Sequence, residues 1–169
     1  MITQLRLLNL AIVSECDVFF EDGMTVITGE TGAGKSILLS GIELLLGKSA
    51  SDSLIKSDAS FALIEATVKV PLHLRSHSVI SPFLDDSEDL FISRKLVRDK
   101  SNVIRLNHQT VPAKILKEVM VLLVMIVGQH DYLLLRQPSF QLDMCDAYVK
   151  ESHRSLLEAY EVALSLIHI

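Results

Sequence analysis

Cysteine is scarce in this sequence: Cys16 and Cys145 are the only two, far apart and in no Cys-x-x-Cys or Cys/His cluster. That excludes a disulfide framework and a thiol-based zinc site, and leaves reduced thiols in a cytoplasmic protein as the simpler state. An excess of positive charge is lacking too. Lys and Arg number 16 against 21 Asp and Glu, a formal net charge of -5, so the chain does not carry the broad cationic field behind strong non-specific nucleic-acid binding. Any such contact has to be local. Met1 to Val13 holds one basic residue, Arg6, and its apolar positions are broken by Gln4, Arg6 and Asn9, unlike a secretory signal. The most apolar stretch, Ile115 to Val127, contains Lys117 and Glu118 and is well short of the roughly 20 residues that a membrane-spanning helix needs. It reads as core, and the expected location is the cytoplasm, with no membrane partner.

What is present is apolar. The hydrophobic share is 49% and the mean hydropathy +0.37, high for a soluble domain of average usage. The 169 residues fit one domain of ordinary size, and part of the apolar surface is expected to meet another polypeptide segment.

Short strand-forming runs at Leu5 to Leu8 and Asp17 to Phe20 predict an antiparallel pair. Met24 to Thr28, with an unbroken apolar centre, predicts a third strand buried on both faces. From Lys35, the apolar positions Ile37, Leu38, Ile42, Leu45 and Leu46 recur at helical spacing, and Gly47 supplies a stop. Phe61 to Val70 predicts a strand, and Leu90 to Val97 with Val103 to Leu106 a hairpin. The acidic run Asp85, Asp86, Glu88 and Asp89 reads as a solvated turn. Pro112 suits the start of a helix with Ile115, Leu116, Val119 and Met120 on its apolar face, followed by a strand at Leu122 to Val127. Pro138 opens another helix, and Leu156, Tyr160, Ala163 and Ile167 alternate steps of four and three, a spacing shared by a coiled-coil arm and an ordinary amphipathic helix.

Gly29, Glu30, Thr31, Gly32, Ala33, Gly34, Lys35 and Ser36 match G-x-x-x-x-G-K-[ST] in full, between a predicted strand and a predicted helix. At average glycine usage a chance match in a chain of this length is on the order of one in a hundred, which leaves little room for a plain turn with a surface lysine. The glycines allow the backbone amides of Gly32, Ala33, Gly34 and Lys35 to point inward, and the helix N-terminus adds positive potential. Lys35 is expected to reach the β and γ phosphates of a nucleoside triphosphate and Ser36 to ligate Mg²⁺.

The run Asn9 to Val13, Gly23 to Thr28 and then Gly29 to Ile37 resembles the opening of the RecN family of bacterial DNA repair proteins, in the SMC-like branch of the ABC ATPases. The likeness continues through Leu46 and Gly47, Ser57 to Thr67, Gly128 to Asp131, Gln141 to Asp143, and Asp146 to Tyr148. The fold it implies is α/β: a P-loop NTPase, an ABC-type half-head with an antiparallel β portion and the start of a coiled-coil arm. Residues 1–150 would be the N-terminal lobe of the head and 151–169 a truncated start of the arm. By the same resemblance Gln129 is the Q-loop glutamine, a catalytic residue and Mg²⁺ contact, with ATP and Mg²⁺ as cofactors. Where the family usually has His before the Gly-Gln-His and Asp two residues earlier, this chain has Val127 and Met125; His108 stands for the Gly of an Asn-Gly, and Ser49 for an Arg.

No strand ending in an Asp-Glu pair and no Leu-Ser-Gly-Gly-type signature occurs. In the family these lie beyond the coiled coil, so the implied partners are the C-terminal half of the same head, a second head in a homodimer, and DNA. Arg94, Lys95, Arg98, Lys100 and Arg105 cluster about the predicted hairpin, as a solvated strand face or, the sharper reading, a DNA-phosphate patch, on a protein then cytoplasmic and nucleoid-associated. The expected role is an ATP-binding head segment in recombinational repair of double-strand breaks, unable to hydrolyse ATP without its other half. A small-molecule P-loop kinase and a nucleotide-binding module without turnover are the alternatives.

Overall fold

Alternation of apolar and polar residues at a period of two builds the sheet. In the computed structural model, which describes residues 1–29, 34–84, 88–127, 137–147, 156, 159–160 and 162–164, the strands are β1 (Ile2–Leu10), β2 (Val13–Phe19), β3 (Phe61–Lys69), β4 (Asp89–Val97), β5 (Val103–Leu106) and β6 (Gln109–Thr110). They form one sheet in the order β2-β1-β3-β4-β5-β6. Every neighbouring pair is antiparallel. Along β3 the residues Ala62, Ile64, Ala66 and Val68 are buried while those between are not, and β4 and β5 repeat the pattern with Leu90, Ile92, Leu96, Ile104 and Leu106. A side-chain period of two places all of these on one face of the sheet.

That face is covered by α1 (Lys35–Leu45) and α2 (Ala113–Leu123), which bury Leu44 and Leu45, and Leu116, Val119 and Met120. Burying side chains of this size contributes about 1.5–3 kcal/mol each, so the two helices and the sheet make one core. Helix α1 ends as Gly47 predicts. Lys48 N–H donates to Glu43 O at 3.1 Å and Gly47 N–H to Leu44 O at 3.1 Å, with Gly47 at φ 88°. This is the pair of closing bonds of a Schellman end, which needs a residue with positive φ at that position.

The chain divides into two compact units, Met1–Ile126 and Val127–Ile169. In the second, α3 (Pro138–Ala147) begins at the expected proline, and Leu156, Ala159, Tyr160 and residues 162–164 are helical.

Three expectations need correction or qualification. Met24 to Thr28 belongs to no strand, and Met24 is 88% and Val26 65% exposed. A strand buried on both faces requires neighbours at its edges and layers above and below, and among the described residues none of the six strands pairs with this segment. The segment Leu122 to Val127 forms no strand either: α2 runs on through Leu123, and Val124 to Val127 lie outside any element. Its first residues continue the preceding helix, a continuity that the run of branched side chains obscures. Of the acidic run, Asp85 and Asp86 lie outside the described residues, Glu88 is exposed and paired with Arg75 at 2.8 Å, and Asp89 opens β4.

Helix α1 approaches β1 closely at Gly41, where an added Cβ would lie 2.7 Å from Leu7 Cδ2, and Leu7 is fully buried. Gly41→Ala gains about 1 kcal/mol of helix propensity but overpacks a filled core, which typically costs about 1–3 kcal/mol. The expected outcome is a net loss of about 1 kcal/mol in urea unfolding; an unchanged or raised midpoint would show that Leu7 moves aside freely.

Candidate phosphate site

The positive end of α1 is the centre of the site. Its N-cap is Gly34, at φ 144°, with no side-chain cap bond and no acidic residue in the first turn. Ile37 and Leu38 N–H donate to Gly34 O at 3.0 and 2.9 Å, closing the first turn. A helix start without a capping carboxylate or hydroxyl keeps its N-terminal potential available to an external anion. Gly34 sits where L side chains are strained, which accounts for glycine at this position of the motif.

Lys35, the first residue of α1, turns its ammonium back so that Nζ donates to Gly29 O. The two described ends of the glycine-rich segment are thereby joined, with a cation held at their meeting point. Ser36 follows on the exposed side of the first turn, at the mouth of the same helix end. Gly29, Gly34, Lys35 and Ser36 are thus brought together; Glu30, Thr31, Gly32 and Ala33 lie outside the described residues, as do Gln129, His130 and Asp131. An ammonium bonded to a carbonyl beside an uncapped helix start is a donor set that suits phosphate oxygens: the amine can exchange a neutral acceptor for a charged one, a stronger bond.

The cationic cluster predicted around the β4–β5 hairpin is divided by the sheet. Lys95 and Arg105 lie on its solvent face, with Lys95 Nζ 4.4 Å from the centre of the Phe61 ring. Arg98 and Lys100 are exposed in the hairpin turn, where Arg98 also reaches Lys56 O and Ala59 O at 3.4 Å. Arg94 does not belong to the patch. It is 3% exposed and its Nη1 donates to Leu44 O at 2.5 Å and Lys48 O at 2.8 Å, beneath the C-terminal end of α1. Burial pushes its guanidinium below the usual value. The signal is available in the sequence, because position 94 is in phase with Leu90, Ile92 and Leu96, and period two puts all four on the buried face.

Asn107, at φ 48° in the turn after β5, is the asparagine that, with His108, stands where the resembled family often has Asn-Gly, and its contacts here are structural. Its side chain accepts from Phe91 N–H at 2.8 Å and donates to Phe83 O at 2.7 Å, tying the β5–β6 turn to the segment before β4. Asparagine is among the few non-glycine residues that adopt positive φ readily.

Residues 4–131 match the family model described as an AAA domain. The chain is 34% identical to the DNA repair protein RecN of Vibrio cholerae over 94% of its own length and 28% of that protein. It is 32% identical to RecN of Bacillus subtilis over 95% of its length and again 28% of the relative. The chain therefore spans just over a quarter of the length of these curated relatives. Among solved structures, one from work on the structural biochemistry of ATP-driven dimerization and DNA-stimulated activation of SMC ATPases superposes with a TM-score of 0.63 at 18% identity, covering 94% of this chain and 97% of the other. At that identity the likeness is one of fold: an SMC-like, P-loop ATPase head architecture.

Gly34→Val places a branched side chain at φ 144°, with nothing among the described residues within 4 Å of its Cβ to offset the strain. Such strain costs on the order of 1–3 kcal/mol, so the thermal midpoint is expected to fall by several degrees. A midpoint equal to that of the unsubstituted chain would show that the turn relaxes without cost.

Proposed function

The chain belongs to the AAA domain family and resembles RecN DNA repair proteins over nearly its whole length; on that premise we propose that it is an ATP-binding head segment acting in recombinational repair of DNA double-strand breaks. The observation that carries the reading is the uncapped start of α1 at Gly34, with Lys35 bonded back to Gly29 in a segment that matches the phosphate-loop pattern. The β and γ phosphates of ATP would take the place of Gly29 O at the Lys35 ammonium and lie against the helix N-terminus. Mg²⁺ would be held by the Ser36 hydroxyl, phosphate oxygens and water, since this ion keeps several waters and few protein ligands.

Gln129 is proposed as the residue that meets the metal and the attacking water. The exposed apolar residues Met24, Val26 and Met125, and a cleft of about 390 Å³ lined in part by Phe20, Thr25, Ile42 and Met125, support a further polypeptide neighbour. That neighbour is the remaining part of a longer head. A second head in a homodimer would supply the opposing clamp on the γ phosphate. Lys95, Arg98, Lys100 and Arg105, exposed about the hairpin, are the proposed DNA-phosphate contacts, local enough to be compatible with a net charge of -5. The location that goes with this role is the cytoplasm, at the nucleoid. Among the described residues no helix is long and apolar enough to cross a membrane.

Lys35→Ala removes the cation placed for the β and γ phosphates, and a fluorescent ATP analogue with Mg²⁺ is expected to bind the variant about tenfold more weakly or worse; equal affinity in two folded proteins would refute the site. The chain by itself is expected to release phosphate negligibly, because positioning and charge neutralisation still lack a polarising carboxylate and a second clamp. Turnover above about 1 s⁻¹, in the ordinary enzyme range, that disappears in Lys35→Ala would instead favour a self-contained kinase or NTPase.

In a longer protein carrying the whole head, Gln129→Ala is expected to keep ATP affinity within about twofold and to lower kcat. Weakened binding with unchanged turnover per bound ATP contradicts the role given to Gln129.

A further inference from the structure

A buried arginine side chain that has no carboxylate partner among the described residues needs a reason. Arg94 comes from the middle of β4, is 3% exposed, and among the described residues its Nε has no hydrogen-bond partner. Burial lowers its pKa, and among the described residues no carboxylate is paired with it. A buried, half-satisfied cation is costly, and a leucine at this position would continue the row Leu90, Ile92 and Leu96 with no such cost. What the guanidinium does reach is the last turn and exit of α1: a single nitrogen, Nη1, bridges Leu44 O and Lys48 O. Helix α1 has no basic residue of its own in its last turn, so Arg94 supplies from another element the positive charge that its C-terminal carbonyls favour.

The geometry points to Arg94 as a positioning residue for the phosphate site, holding α1 from its C-terminal end so that Gly34, Lys35 and Ser36 are presented correctly at the other. This rests on the nucleotide-binding reading above. Helix α1 is pinned to the sheet at Gly41, against Leu7 of β1, and at Leu44 and Lys48 through Arg94 of β4. Two fixed points on two strands set both the tilt and the rotation of the helix. From Leu44 back to Lys35 the axis is about 14 Å long at about 1.5 Å per residue. A tilt of about 4° about the C-terminal end therefore shifts the N-terminus by about 1 Å, a displacement large enough to spoil a positioned site.

The test compares Arg94→Met, Arg94→Lys and Ile80→Ala, the last a fully buried residue of the segment between β3 and β4 that destabilises the core outside the strand register around Arg94, in the full 169-residue chain. Affinity for a fluorescent ATP analogue with Mg²⁺ is measured well below each thermal midpoint, and amide hydrogen exchange across α1 is followed without nucleotide. Arg94→Met is expected to weaken binding about tenfold and to speed exchange of the α1 amides, Arg94→Lys to recover part of both, and Ile80→Ala to keep affinity within about twofold. Arg94→Met binding as tightly as the unsubstituted chain, or Ile80→Ala losing as much affinity as Arg94→Met, overturns the proposal. If the unsubstituted chain binds no nucleotide, the functional reading fails as well. The exchange data then still decide whether Arg94 holds the helix, and unchanged α1 exchange in Arg94→Met rejects even that.

Discussion

The seating of α1 on the apolar face of the antiparallel sheet is the contact on which the rest depends. That face exists because β1, β3, β4 and β5 keep a period of two, and the helix fits it closely because Gly41 lets its backbone approach Leu7. Once α1 is seated, its two ends have fixed surroundings. The N-terminal end, started by Gly34, is left open to an anion; the C-terminal end is closed by Gly47 and by the guanidinium of Arg94. One helix thus links a strand of the sheet to the candidate phosphate site, and the direction of its dipole favours a cation at one end and an anion at the other.

Much of this is legible in the sequence where a local rule decides the outcome. Strands β1 to β5 follow from alternation, α1 from its helical spacing and glycine stop, and the starts of α2 and α3 from the preference of proline for helix N-termini. The phosphate-loop pattern locates Gly34, Lys35 and Ser36 at the helix start where the structure has them. The failures share a cause as well. Met24 to Thr28 and Val124 to Val127 carry strand-forming residues but pair with none of the described strands. Strand propensity describes a fit to neighbours, and a run of branched apolar residues does not say whether those neighbours are in the same chain segment. At Arg94 charge and phase disagree. Counted as a cation it joins a surface patch; counted by register it belongs on the core side with Leu90, Ile92 and Leu96, and register prevails.

The apolar residues left exposed at 24–27 and 121–125 fit the relation of this chain to its relatives, of whose length it spans 28%. Exposed apolar runs of this kind mark surfaces that meet another polypeptide. The proposed phosphate site, at the start of a helix packed on the sheet, would separate two tasks: binding would use the helix start and its lysine, whereas hydrolysis needs groups that must be positioned from elsewhere.

The central claim is that ATP is held at the N-terminal end of α1, and amide hydrogen exchange read peptide by peptide tests it most directly. With saturating ATP and Mg²⁺, exchange is expected to slow in peptides covering residues 28–40 and to stay unchanged in the β4–β5 hairpin at 97–103. Unchanged exchange across 28–40, or protection confined to other segments, would contradict it.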